Sequence, residues 1–409
     1  MKPFPLKPGA SPLDMFLQAC LPRRDAVPAT LTEHAVIPGI ANARFRLDHD
    51  VTPFIEDAVQ ANKRESEMLA RAGMPNDVLP LGNMLAVSGG GDAGAFAAGL
   101  IAGWTTQGTR PMFKVVTGIS AGALVAPFAY LGPEYDGVIR HVSNGIGPKD
   151  IFHSRNVLTR LASDGMADSK PLSRLLAKYV TAQVLAAIAG EYAKGRILLI
   201  GTTDLDSGRP VTWNMGAIAA SQAPGALDLF RNILLASMSI PGAVSPVMID
   251  VEVDGKQYQE MHVDGGVITQ VFLYPPTTVM ALSKASGVPM RLERRFYVIR
   301  NGTLEPQWSG TKRRTLSIGG RAISALIQTQ GISDLERIYR MAQQDSADFN
   351  LAYIGADFQC PHNRKFDGEY MKRLFDYAFE QSAKGYPWHK SPPSEITANK
   401  WATLFRGTE

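Results

Sequence analysis

The sequence predicts an α/β fold, a mainly parallel sheet with helices on both faces. Three observations predict it. Apolar runs of strand length alternate with helical stretches along most of the chain. Gly118-Ile119-Ser120-Ala121-Gly122 follows the apolar run 113–117 and leads into an Ala-rich stretch, a strand–turn–helix arrangement. Gly89-Gly90-Gly91 closes an earlier apolar run in the same way and opens a second helix.

The elements follow in order. Residues 54–72 place Ile55, Val59, Met68 and Leu69 among charged residues at helical spacing. Residues 83–88 read as the first strand, with a helix over 93–107. Strand 113–117 and helix 121–131 come next. The stretch 133–180 is loop-rich, with helices expected at 171–180 and 181–194. Residues 196–203 form a buried strand, and 227–238 a helix stopped by Pro241-Gly242. Strand 258–263 runs into Asp264-Gly265-Gly266. Strand 295–300 is followed by helices near 315–330, 332–346 and 368–384, with a short strand at 350–355. There is no internal repeat and no low-complexity tract. Three segments result: an extension over 1–80, a catalytic domain over 81–300, and a helical region over 301–409 packed on it.

Composition narrows the function classes. The chain has 409 residues, 45% apolar and 20% charged, with 42 basic against 38 acidic residues. A net charge of +4 without a Lys/Arg-rich run does not imply nucleic acid, and suits at most weak attraction to an anionic lipid surface. Two cysteines, Cys20 and Cys360, give no disulfide framework. No Cys/His cluster has zinc spacing, so no metal is expected. The uncharged stretches 234–249 and 93–109 are interrupted by Pro or diluted by Gly, Thr and Gln, so no membrane span is expected. Leu17-Gln18-Ala19-Cys20 is similar to a bacterial lipoprotein processing site. Pro3, Pro5, Pro8, Pro12 and Asp14 break the apolar stretch such a signal needs. Two readings of residues 1–20 stand: an export segment lipidated at Cys20, or an arm of a cytoplasmic or peripheral membrane protein.

Three glycine motifs carry the chemistry. In Gly118-Ile119-Ser120-Ala121-Gly122, Ser120 sits at the strand-to-helix turn of a nucleophile elbow, facing the positive end of a helix dipole. Gly89-Gly90-Gly91-Asp92-Ala93-Gly94 offers unshielded backbone N–H groups at a helix start, as an oxyanion hole requires. It also matches G-x-G-x-x-G. A dinucleotide site needs an acidic residue ending the next strand, and 113–117 has none, so no nicotinamide or flavin cofactor is expected. Asp264 ends a strand before Gly265-Gly266 and is the candidate base at the sheet's carboxyl edge. A lone Asp-Gly-Gly is by itself a surface turn. A triad would instead need His362 or His389, neither of which has a strand-end context. His262 is two residues from Asp264, on the same strand face, in a packing role or tuning the site.

These pieces, in this order, resemble the patatin-like phospholipase family. The glycine motif matches at Gly89, Gly90, Gly91 and Gly94, the nucleophile motif at Gly118, Ser120 and Gly122, and the D-G-G/A motif at Asp264, Gly265 and Gly266. Thr202-Thr203-Asp204-Leu205 with Ser207-Gly208, and Ala236-Ser237-Met238-Ser239-Ile240-Pro241, are similar to two further family segments. The resemblance covers about 83–270. It implies a three-layer Rossmann-like sheet, a Ser120–Asp264 dyad without His, no cofactor, and a lipid ester as substrate, phospholipid or lysophospholipid, at a membrane or micelle surface. The family's basic residue in the glycine motif is Ala93 here, which bears on phospholipid specificity more than on ester hydrolysis. A non-catalytic lipid-binding or regulatory module on the same fold is the remaining reading. The aromatic residues Tyr370, Phe375, Tyr377 and Phe379 fit an acyl-pocket cap, a dimer contact or, as is usual at helical spacing, core.

Overall fold

The computed structural model describes residues 24–74, 80–144, 153–154, 167–275, 278, 293–306, 308, 310–362 and 366–392. Cys20 and its segment lie outside the described residues. The strands are β1 (Arg44–Phe45), β2 (Gly82–Val87), β3 (Val115–Ile119), β4 (His153–Ser154), β5 (Ala167–Asp168), β6 (Ile197–Asp204), β7 (Arg209–Asn214), β8 (Val247–Val253), β9 (Lys256–Asp264), β10 (Arg294–Arg300) and β11 (Asp348–Tyr353).

The sheet runs β1-β7-β6-β3-β2-β10-β11, and its five strands from β6 to β11 are parallel. β7, β1 and the β8–β9 hairpin add antiparallel pairs beside β6, and β4 pairs with β5 in a separate ribbon. The parallel strands read as continuous apolar runs because both of their faces are covered. Leu85 and Val87 face one core cluster while Met84 and Ala86 face the other, the period of two that a pleat imposes. The first cluster packs helices Ala95–Gln107, Ala121–Leu131, Ala226–Ser237 and Gly368–Ala383 on one face. Helices Thr52–Arg71 and Thr315–Gln344 cover the other. Each fully buried side chain such as Phe296 or Leu351 contributes about 1.5–3 kcal/mol by leaving water.

Sheet strands come from all three sequence segments, β1 from 1–80 and β11 from 301–409. The extension is also held by charge. Arg44 pairs with buried Glu260, and Arg46 reaches Glu260 at 3.0 Å and Asp204 at 3.4 Å. The two helices expected at 315–330 and 332–346 are one helix, Thr315–Gln344. Phe375 is core, and its backbone lies so close to Gly99 of helix Ala95–Gln107 that a Cβ there would collide with it.

Candidate active site

Strand pairing brings Ser120 and Asp264 together. β3 and β9 share one edge of β6. β3 pairs in parallel with the first part of β6, ending at Ile119 opposite Gly201. β9 pairs antiparallel with the last part, ending at Asp264 opposite Thr202. The two strand ends therefore abut, one residue apart along β6, at the carboxyl edge of the parallel sheet. Ser120 Oγ donates to Asp264 Oδ2 at 2.6 Å.

Ser120 has φ 53° and ψ −124°, a conformation that strains any residue with a Cβ and lifts the hydroxyl clear of strand and helix. The turn is held from outside. Ser237 Oγ accepts the Ser120 N–H at 3.0 Å and donates to the Gly201 carbonyl at 2.7 Å. Gly122 lies against the Val87 carbonyl, where a Cβ would overlap it. From the same segment as Ser237, the Ser239 carbonyl accepts the Asp264 N–H at 3.0 Å.

Asp264 is 5% exposed, and its other oxygen accepts the Gly266 N–H at 2.7 Å. Burial raises its pKa to about 6, outweighing the two hydrogen bonds that favour the carboxylate. A carboxylate so raised is a stronger base than an exposed one and is still ionised at neutral pH.

The glycine loop departs from the expected donor set at one position. Gly89 gives its N–H to the Gln270 carbonyl at 3.0 Å, so it is not an oxyanion donor. Gly90 and Gly91 follow, and Gly91 turns with φ +59° into the short 3-10 turn Gly91–Gly94 before helix Ala95–Gln107. Among the described residues no group accepts from either N–H. The loop is braced by Asn301, whose Nδ2 donates to the Ser88 carbonyl and whose N–H donates to Ser88 Oγ, both at 2.8 Å. Two helix N-termini, those of Ala95–Gln107 and Ala121–Leu131, open beside the Ser120 hydroxyl, a setting that favours developing negative charge.

Neither candidate triad histidine reaches the pair. His362 Nε2 lies 2.7 Å from Asp92 Oδ2 and stacks on Tyr370. His389 bridges β11 at Leu351, its ring against Tyr353. His262 is fully buried between Thr202 Oγ1 and Glu260 Oε2, each at 3.0 Å. Charged and hydrogen-bonded contacts to Arg44 and His262 hold Glu260 far below the usual carboxylate range against its burial. Asp92, next to Ala93 in the glycine motif, also accepts the Phe366 N–H at 2.7 Å.

An apolar groove opens at Ser120. Its walls include Leu124, Leu172, Leu175, Met238, Phe366 and Met371. Among the described residues, no cluster of three His, Cys, Asp or Glu side chains is placed to hold a metal ion.

Three supports have no motif of their own in the sequence: Gln270, Asn301 and Asp334. Gln270 bonds both loops, accepting from Gly89 N–H and donating from Nε2 to the Gly266 carbonyl at 2.6 Å. Asp334 holds Gln270 by accepting its N–H at 2.7 Å.

The fold and site define an α/β protein with a serine–carboxylate pair at the carboxyl edge of its sheet. Residues 85–275 match the patatin-like phospholipase family model, which identifies a patatin-like domain in that part of the chain. Similar solved structures include VipD from Legionella pneumophila, at 12% identity and TM-score 0.39, over 75% of this chain and 66% of that one. Human GIVD cytosolic phospholipase A2 in complex with methyl gamma-linolenyl fluorophosphonate is similar at 12% identity and TM-score 0.32, over 84% of this chain and 64% of that one. The chain thus spans slightly less than two thirds of either. No functionally curated protein matches it.

Proposed function

We propose that this protein is a serine acyl hydrolase that cleaves carboxylic esters of lipids, with phospholipid or lysophospholipid as the substrate class. The observation that carries this reading is the 2.6 Å hydrogen bond between Ser120 Oγ and Asp264 Oδ2 beside an apolar groove. The family match supports the substrate class.

In this reading Asp264 takes the Ser120 proton as Oγ attacks the ester carbonyl carbon. The oxyanion that forms is held by the Gly90 and Gly91 N–H groups, with that of Ala121 as a third donor. The tetrahedral intermediate collapses, the C–O bond to the alcohol breaks, and Asp264 returns its proton to the leaving oxygen. Water then attacks the acyl-enzyme, giving its proton to Asp264, and the fatty acid leaves as Ser120 recovers the proton. The acyl chain lies along Leu124, Leu172, Leu175 and Met371. The scheme uses no cofactor.

Labelling by a fluorophosphonate, which traps activated serines, tests this reading. Wild type labels at Ser120, Ser120→Ala does not label, and Asp264→Asn labels far more slowly. Absence of wild-type labelling, or a modified residue other than Ser120, contradicts it.

A further inference from the structure

The helix Thr315–Gln344 has two unlike halves. Its C-terminal half is core: Leu335, Ile338 and Met341 are buried under the sheet. At the middle, Gln328 accepts from Arg300, the last residue of β10, at 2.8 Å and donates to the Thr303 and Leu304 carbonyls. Just past its end, Asp345 accepts from the Tyr274 hydroxyl at 2.7 Å, and its carbonyl lies by Arg294, the first residue of β10. The helix thus follows β10 from carboxyl end to amino end. Residues 315–327 continue beyond the carboxyl edge, the edge that carries Ser120 and Asp264, for about 20 Å at 1.5 Å per residue.

This projecting half is apolar and uncovered. Ile318, Ile323, Leu326 and Ile327 are 54%, 55%, 69% and 39% exposed, and Trp308, shortly before the helix, is 91% exposed. At 3.6 residues per turn the four aliphatic residues share one half of the circumference, and Ser317, Arg321, Ser324 and Gln328 share the other. Gln328 faces the body of the protein, so the apolar half faces away from it. Lys312, Arg313 and Arg314 stand exposed at the helix entrance, and no Asp or Glu occurs between Glu305 and Asp334.

We propose that this half-helix, with Trp308 and the Lys312–Arg313–Arg314 cluster, seats the protein on an anionic lipid surface. A helix with an apolar face, flanking cations and a tryptophan lies in a bilayer interface, and each cation near an anionic leaflet adds to binding. A second copy of this chain is disfavoured as the occupant, because a symmetric contact here sets two acid-free cationic segments against each other. Among the described residues no single helix is long and apolar enough to cross a membrane; the proposal places the half-helix in the interface plane. That the surface supplies substrate rests on the hydrolase reading; the attachment itself does not.

The test is flotation of the full-length protein with phosphatidylcholine vesicles, with and without phosphatidylglycerol. Two variants accompany it: Ile323→Asp with Leu326→Asp, and Lys312→Ser with Arg313→Ser and Arg314→Ser. Wild type is expected to float with the phosphatidylglycerol vesicles and far less with phosphatidylcholine alone. Both variants should bind on the order of a hundredfold more weakly, yet turn over a short soluble ester as wild type does. Wild-type binding indifferent to phosphatidylglycerol, or variants that bind like wild type, would overturn the proposal. So would a wild-type dimer that the aspartate variant makes monomeric without any vesicle binding, which assigns the face to a second copy. Ser120→Ala separates the two readings: it should float like wild type, and soluble-ester hydrolysis that survives it sinks the hydrolase reading alone.

Discussion

The Ser237 hydroxyl sits between Ser120 and Gly201, accepting the Ser120 N–H at 3.0 Å and donating to the Gly201 carbonyl at 2.7 Å. Ser237 is fully buried, so without it both backbone groups lose a partner in a site closed to water. Ser237→Ala is expected to cost about 1–3 kcal/mol of stability and to slow turnover through a less fixed Ser120. Denaturant melts and kcat on a soluble ester check both; a variant unchanged in each contradicts the role.

The raised pKa of Asp264 has two consequences of opposite sign. In its proposed role as base Asp264 works deprotonated, so kcat/KM should rise with pH through about 6 and level off near neutrality. For stability, a folded pKa of about 6 against an ordinary 3.8 means the charged form is penalised in the fold. The penalty is absent below the unfolded value and complete above about 6, on the order of 3 kcal/mol. Asp264→Asn should therefore be inactive, more stable than wild type at pH 8, and no more stable near pH 3. Thermal melts across pH read this directly.

Asp334 is a positioning residue, acting on the site through Gln270. It accepts the N–H groups of Gln270 at 2.7 Å and Val271 at 3.4 Å, and burial pushes its own pKa up. Asp334→Ala should lower kcat with KM little changed, and Asp334→Asn, which keeps an acceptor oxygen, should restore much of the loss. A pure folding defect would lower the active fraction and leave kcat per labelled site unchanged, which active-site titration detects.

His362 contacts Asp92 and does not reach the Ser120–Asp264 pair. His362→Ala should change soluble-ester turnover by only a few fold, against the roughly 10⁴-fold loss seen when a triad member is removed. A loss of triad size would restore the histidine mechanism.

The groove sets chain length in this account. Leu175, half-buried in its wall, leaves room for a larger ring to intrude. Leu175→Trp should shift preference across a series of p-nitrophenyl esters toward shorter acyl chains. An unaltered profile places the acyl chain elsewhere.

The parts of the site legible in the sequence are those written locally. Each glycine motif joins a strand end to a turn within six residues, so Ser120, Asp264 and Gly89–Gly91 stand out in one pass. Long-range supports do not. Gln270 meets Gly89, and Asp334 meets Gln270, only once the sheet and the helix Thr315–Gln344 have packed. The glycine run places the Gly89 N–H in the donor set because sequence cannot show the Gln270 carbonyl that takes it. The same limit hid the join at 331. Gly331 reads as a helix end, yet it lies where a Cβ would overlap the Arg300 guanidinium, so glycine lets the helix pass close to β10 unbroken. β7 and β8 carry no clear signal in the sequence because neither strand leads into a motif, and Lys312-Arg313-Arg314 is too short to stand out as a basic run.

The central claim is that Ser120 and Asp264 together hydrolyse lipid esters. Release of fatty acid from phospholipids, lysophospholipids, triacylglycerol and short p-nitrophenyl esters by wild type, Ser120→Ala and Asp264→Asn tests it most directly. Wild type should release fatty acid, most from phospholipid or lysophospholipid, and neither variant should release any above background. Release that persists in Ser120→Ala or Asp264→Asn would contradict it.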